Sequence, residues 1–283
     1  MKQYAFYIVF FGALLSSTSG LFVENMSEDL AATSRAWIRM IVPVGLVGMY
    51  LIYKRRNVFR AQSKTMMIGS LINSVRMTFF FLTFMFTTMS KAVIVFYTWP
   101  LFATLLSIVI LKEQVSRKEL FILFASFAGV LVICYDQELS LANHDLLGLG
   151  AGVITAFLYS CTVIFFKQGS EEYNPVETIF YQNIVGAVAF LPFMFFNSPP
   201  TSQDWALCIG HGTVIGVVMF MMFFFGLKHM PASRTSMITY VEVIGGILLG
   251  YFVLHEEISL PMIIGACIIL GGSVLLRTLK VSQ

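Results

Sequence analysis

Charge is what this chain has least of. Asp, Glu, Lys and Arg together make up 12% of its 283 residues, about half the share of roughly 25% usual in soluble domains. A water-facing surface cannot be built from so few, so a soluble globular domain is excluded. The formal net charge is only +3, with no long run of like charge, so neither a disordered tail nor a nucleic-acid partner is expected. Cysteine is scarce too: Cys134, Cys161, Cys208 and Cys267 stand far apart, with no CxxC and no His at ligand spacing. They read as small packing residues, and no disulfide framework, metal site or cofactor is expected. "HEEIS" at His255 lacks the second His of a zinc helix, and "GLGAG" from Gly148 to Gly152 follows no strand, so neither is a metal or phosphate motif. With no Walker motif and no nucleophile–base arrangement, an enzyme is not expected.

What the chain does have is apolar length. Hydrophobic residues are 58% of it, with 28 Phe and 16 Met. A bilayer core of about 30 Å takes roughly 20 residues of helix. Ten segments meet that: 4–22, 33–53, 65–87, 92–111, 119–135, 147–166, 176–196, 205–227, 235–254 and 260–278. The runs are continuous rather than alternating, which argues against a β-barrel. The expected class is an all-α integral membrane protein of ten transmembrane helices in the lipid bilayer. The opening "MKQYAFYIVFFGALLSSTSG" imitates a secretory signal, but reading it as a first spanning helix makes the charge pattern consistent.

With the N-terminus inside, fourteen Lys and Arg fall at inner ends and loops: Lys2, the Lys54 to Lys64 cluster, Lys112, Arg117, Lys118, Lys167, Lys228, Arg234, Arg277 and Lys280. The outside receives only Arg35 and Lys91, together with acids such as Glu24, Glu28, Asp29, Asp136, Glu138, Asp145 and Asp204. That imbalance places both termini in the cytoplasm.

Two stretches repeat. "SKAVIVFYTWPLFATLLSIVILKEQVSRKELFILFASFAGV" begins at Ser90, and "SRTSMITYVEVIGGILLGYFVLHEEISLPMIIGACIILGGS" at Ser233. At a constant offset of 143, Ser90 meets Ser233, Lys91 meets Arg234, Tyr97 meets Tyr240, Glu113 meets Glu256, Ser116 meets Ser259 and Gly129 meets Gly272. Five helices per half put the second copy upside down relative to the first. The expected halves are residues 1–136 and 137–283. Inverted copies can exchange conformations so that one central site opens to each side in turn, as secondary transporters require.

On "YTWPLFATLLSIVILKE" (Tyr97 to Glu113) and "YVEVIGGILLGYFVLHEE" (Tyr240 to Glu257), the sequence resembles the drug/metabolite transporter superfamily, specifically its EamA-type ten-helix members. The resemblance covers essentially the whole chain as two five-helix halves. Family members often carry Pro in both halves of this motif; Pro100 keeps it, and Val243 stands in its place in the second half. The resemblance implies a metabolite carrier, commonly an exporter, with a central cavity lined by both halves.

Polar residues at membrane depth are the candidates for handling a solute. Arg76 lies near the middle of the third apolar run, on a stripe of Gly69, Asn73, Arg76, Phe80, Thr83 and Thr87. A guanidinium there costs at least about 2.5–3.5 kcal/mol, so it faces a cavity or a structural partner, snorkelling being weak at such depth. Glu242 is the one carboxylate well inside a segment, on a stripe with Thr235, Thr239, Gly246 and Leu249. It is read as a proton exchanger, as a holder of a substrate amine, or as the counter-ion of Arg76 or Arg39. Trp99 matches Glu242 in the repeat and Arg39 shares a face with Arg35. Asn183, beside Gln182, holds roughly the place of Arg39 in the other half. Tyr97, Tyr159 and Tyr240 offer aromatic faces with a hydroxyl, although helix packing serves each equally well; His211 reads as a packing residue. The matched Lys91 and Arg234 are read either as symmetric gates or as solvated charges beside helix caps.

These residues point to a bacterial inner-membrane carrier of a small polar or zwitterionic metabolite, with amino acids and their derivatives fitting best. Its energy comes from protons or a counter-transported solute, and it acts as a monomer or dimer. The alternatives are an organic anion or nucleotide-type solute bound by the arginines, or a receptor or scaffold.

Overall fold

The computed structural model describes residues 2–27, 29–87, 89–135, 143–197, 199–253, 255 and 257–279. Glu28, Asp136, Glu138, Glu256, Lys280 and the boundary between the expected halves lie outside them, as do the side chains of Lys2, Glu24, Ser90 and Asp145.

Among the described residues the chain is helical throughout, without strands. In order come α1 (Lys2–Ser16), α2 (Ser19–Glu24), α3 (Ala32–Tyr53), α4 (Ser63–Phe86), α5 (Met89–Phe96), α6 (Trp99–Ile110), α7 (Arg117–Ile133) and α8 (Asn143–Gly169). There follow α9 (Pro175–Ala189), α10 (Phe193–Phe196), α11 (Ser202–Thr213), a π-helical segment (Val214–Met219), α12 (Phe220–His229), α13 (Ala232–Ile238), α14 (Val241–Val253) and α15 (Leu260–Thr278). Among the described residues, seven stretches are long and apolar enough to cross a membrane: Tyr4–Val23, Ala32–Tyr53, Ser63–Thr83, Leu146–Gly169, Ser202–His229, Ala232–Val253 and Leu260–Thr278. Ile94–Ile110 is apolar but shorter, and α7 and α9 have only 17 and 15 residues, about 25 Å and 22 Å of helix.

Large apolar side chains face outward, Phe196 at 84% exposure and Phe195 at 80%, while Ser70, Thr155 and Ser160 are fully buried. That is the inverse of a soluble protein and suits helices that meet through small and hydroxyl residues. α7 and α15 show how close that approach is. A side chain at Gly129 would meet the Gly265 carbonyl oxygen and Ile269 at 3.0 Å, and one at Gly272 would meet Ser126 and Ile122.

Two apolar spans are interrupted near their first third. α5 gives way to α6 at Tyr97–Thr98, and α13 to α14 at Thr239–Tyr240. In each a threonine bends back on the chain: Thr98 Oγ1 donates to the Val95 carbonyl and Thr239 Oγ1 to that of Ser236, both at 2.6 Å. The second break therefore forms although Val243 replaces the proline, because the hydroxyl competes for the same backbone acceptors.

Three helix starts double as links between elements. α7, α9 and α11 each begin with a reciprocal capping box, at Ser116/Glu119, Asn174/Glu177 and Thr201/Asp204, which satisfies otherwise orphaned N–H groups. Each acid also takes a distant donor. Arg234 Nε donates to Glu119 at 2.5 Å, Arg60 Nη2 to Glu177 at 2.5 Å, and the Ser27 N–H and hydroxyl to Asp204. Two polar layers result. One joins Glu113, Glu119, Arg234 and the Leu279 carbonyl; the other joins Ser27, Asp204, Arg35 and Thr201.

Candidate functional site

A cavity of ≈ 480 Å³ lies among α1–α6, α8, α11, α12 and α14. It reaches Arg35 in the second polar layer, whereas Glu113, Glu119 and Arg234 of the first take no part in its wall. The volume is of metabolite size.

Six of the nine binding residues expected from sequence line this cavity: Arg39, Arg76, Tyr97, Trp99, Tyr159 and Glu242. α4 packs along much of α8, and this divides its polar stripe. Gly69 lies against Phe165 and Phe166, and Thr87 against Gly148, while Arg76, Phe80 and Thr83 between them face the cavity. Arg76 is only 6% exposed. Its Nε donates to Asn73 Oδ1 at 3.1 Å, its Nη2 rests 2.9 Å from Met77 Sδ, and its guanidinium lies 5.1 Å from the Tyr159 ring centre. No carboxylate pairs with it among the described residues.

Glu242 opens α14 just after the Thr239–Tyr240 break, so its carboxylate projects where the helix is interrupted. Ser16, at the end of α1, donates to its Oε1 at 2.7 Å. Arg39 is near enough to both Glu242 and Arg76 for its charge to act on each of them. The aromatic wall is built on the other interrupted span. Trp99 meets Tyr159 edge-on at 4.7 Å and Phe223 at 6.4 Å, and Ser160 Oγ fixes its backbone by donating to the Trp99 carbonyl at 2.7 Å.

Three expected residues lie beside the cavity rather than in its wall. Asn73 is buried and, besides accepting from Arg76, donates to the Gln182 carbonyl at 2.9 Å, so it orients the guanidinium. Asn183 donates back to Ile179 within α9. Tyr240 is fully buried, its hydroxyl donating to the Tyr97 carbonyl at 3.1 Å. Lys91 and Arg234 are both buried, at 3% and 6% exposure. Arg234 bonds Glu119 and, at 2.9 Å, the Leu279 carbonyl.

Sequence reasoning passed over Ser16 and three phenylalanines of the wall, Phe96, Phe220 and Phe223, and took His211, which also lines it, for a packing residue. His211 Nε2 lies 2.8 Å from Ser19 Oγ. The signal for the serines was present in "LLSSTSG", whose hydroxyls interrupt the first apolar run. The phenylalanines carried none, since lipid and cavity walls both accept them.

The model of the EamA-like transporter family matches the chain twice, over residues 3–135 and 146–278. A transporter of Archaeoglobus fulgidus, described as uncharacterized, is 26% identical over 92% of this chain and 91% of its own. The biotin transporter of Escherichia coli K12 is 22% identical over the same shares. A solved crystal structure superposes with a TM-score of 0.80 at 19% identity, covering 97% of this chain and 96% of that one; this likeness shows the fold alone.

Proposed function

The chain belongs to the EamA-like transporter family, and on that premise we propose that it carries a small, carboxylate-bearing organic metabolite by alternating access. Amino acids and their derivatives are the class that fits best. The observation that carries this reading is the meeting of three guanidiniums, one carboxylate and an aromatic wall in one cavity of ≈ 480 Å³. Arg39 and Arg76 are placed for a carboxylate, Glu242 for an amine or a coupling proton, and Trp99, Tyr97 and Tyr159 for apolar surface. Asn73 positions Arg76. Asn183 and Tyr240 have their place behind the wall, where they steady α9 and the second helix break.

The mechanism rests on ten spans in two inverted halves, residues 1–136 and 137–283, with both termini in the cytoplasm of a bacterial inner membrane. Support comes from reciprocal contacts. At the repeat offset of 143, Ile122 matches Gly265, Ser126 matches Ile269 and Gly129 matches Gly272. Gly129 approaches Gly265 and Ile269, and Gly272 approaches Ile122 and Ser126. Each contact thus has its mirror, as a two-fold axis between the halves demands. Whole helices follow the same rule: α4 packs on α8 as α12 does on α1, and α4 on α9 as α11 does on α3. In this scheme the layer of Arg234 and Glu119 is the closed gate, and Lys91 is its counterpart on the side of Arg35.

Counterflow in proteoliposomes with a mixed metabolite pool, run with and without a pH gradient, tests the reading. Movement of a carboxylate solute above empty vesicles supports it, and no movement of any solute overturns it. A second reading, an organic anion, is favoured by the excess of three guanidiniums, Arg35, Arg39 and Arg76, over one carboxylate in the wall. Biotin, the solute named for the E. coli relative, is itself an organic carboxylate.

A further inference from the structure

The three arginines of the cavity are not equivalent, and Arg35 donates to the Ser27 carbonyl at 2.7 Å. Arg76 is already engaged: its Nε is bonded to Asn73, its Nη2 lies against Met77, and its face lies over Tyr159. Arg39 lines the same cavity, yet its side chain donates no hydrogen bond to any described residue. A guanidinium carries five donors, and one facing an enclosed space with all of them unused is the group an incoming anion meets most readily.

The backbone around Arg39 is also unusual. Pro43 stands four residues further along α3 and has no N–H to return to the Arg39 carbonyl. The helix facing it is wound as a π-helix over Val214–Met219, and its Gly216 sits against Pro43 and within 3.7 Å, from the position of an added Cβ, of the Arg39 carbonyl oxygen. Two departures from regular α-helix therefore meet at one residue. Such departures often mark functional positions.

Arg39 and Glu242 face the same cavity, where their opposite charges attract each other. Glu242 is held by Ser16 through Oε1 alone; its Oε2 accepts from no described residue. The other titratable or charged groups of the wall are Arg35 on α3, Arg76 on α4, Tyr97 between α5 and α6, Tyr159 on α8 and His211 on α11. α15, packed behind α14, contributes none of them.

From this arrangement we infer that the substrate carboxylate and the Glu242 carboxylate compete for Arg39, so that loading an anion draws one proton from solution onto Glu242. The inference rests on the carrier reading above and deepens it to a coupling rule. No bond to carbon changes: a proton adds to a carboxylate oxygen of Glu242 as the substrate anion takes its place beside the guanidinium. Linkage is reciprocal, so a protonated Glu242 binds anions more tightly by the same factor. A zwitterion behaves differently, because its ammonium supplies Glu242 with a new counter-ion and cancels the demand for a proton. Proton and anion then travel together, whereas a zwitterion travels without one.

Equilibrium binding of radiolabelled phenylpropionate to the purified full-length protein tests this, with phenylalanine as the zwitterion of the same ring. Phenylpropionate is expected to bind roughly tenfold more tightly in mildly acidic than in mildly alkaline buffer, a common size for coupling between sites. Phenylalanine is expected to show little change. Glu242→Gln holds phenylpropionate at the tight level in both buffers, Arg39→Gln loses most binding, and Arg39→Lys recovers part of it. His211→Asn, which removes the wall group whose ordinary pKa lies in this range, keeps the wild-type pH dependence. Size-exclusion profiles of all variants separate loss of binding from loss of fold. Equal affinity in both buffers, or pH dependence that vanishes with His211 rather than Glu242, overturns the inference while counterflow leaves the carrier reading standing. Absence of phenylpropionate binding in every buffer overturns the carboxylate site itself.

Discussion

Tyr240 donates its hydroxyl hydrogen to the carbonyl of Tyr97 at 3.1 Å, and their rings stand 6.2 Å apart. The two residues hold the same place in the sequence repeat, 143 positions apart. A bond between matched residues lies where the halves meet, and this one ties together the two interrupted spans. Tyr240→Phe keeps the ring and removes the bond, so it is expected to cost about 1 kcal/mol. A lowered thermal midpoint in detergent checks this; an unchanged midpoint shows that the hydroxyl contributes nothing.

Arg76→Ala is expected to weaken apparent affinity for carboxylate solutes by about tenfold or more, the usual worth of a hydrogen bond to a charged group. Asn73→Ala leaves the cation in place but frees its Nε, so the loss is smaller and the maximal rate is nearly kept. Concentration dependence of counterflow for both variants decides it. Unchanged affinity in Arg76→Ala assigns that arginine to structure.

Glu242→Gln is expected to abolish accumulation of an anionic solute driven by a pH gradient while sparing solute exchange, because the amide keeps the hydrogen-bonding shape without the exchangeable proton. Parallel uptake and exchange measurements separate these. Retained accumulation places proton coupling elsewhere.

Glu119→Ala removes both the cap of α7 and the partner of Arg234. Loss of one partner from a buried ion pair costs about 3–5 kcal/mol. The variant should unfold at markedly lower temperature, and the double variant with Arg234→Met should recover part of the loss. A double variant no better than the single one contradicts the pairing.

Gly129→Leu forces a large side chain against Gly265 and Ile269. Overpacking of this kind costs about 1–3 kcal/mol, and a matching loss is expected at Gly272→Leu, where Ser126 and Ile122 stand in the way. Equal penalties at the two sites follow from a two-fold relation between α7 and α15; a penalty at one alone argues against it.

Membrane insertion, helical class and family membership were legible in the residues themselves. Continuous apolar runs force the backbone to satisfy its own hydrogen bonds, and only helix does so segment by segment. Polar residues at depth marked α3, α4 and α14, and six of nine expected residues line one cavity. Asn73, Asn183 and Tyr240 were named by the same logic and lie behind the wall. A helix face that avoids lipid looks alike in sequence whether it meets another helix or a cavity, since both favour small and polar residues. Gly69 and Arg76 share a stripe, yet one touches Phe166 of α8 and the other faces open space.

The sequence by itself determined that lipid surrounds this chain, that it folds as helices and that its halves share a motif, because those properties follow from local composition and periodicity. Only the tertiary structure decided that Arg76 is engaged by Asn73 while Arg39 stands open beside Glu242. That choice depends on the spacing between helices distant in sequence. It is set where Pro43 meets the π-helical turn and where α14 begins beside Ser16.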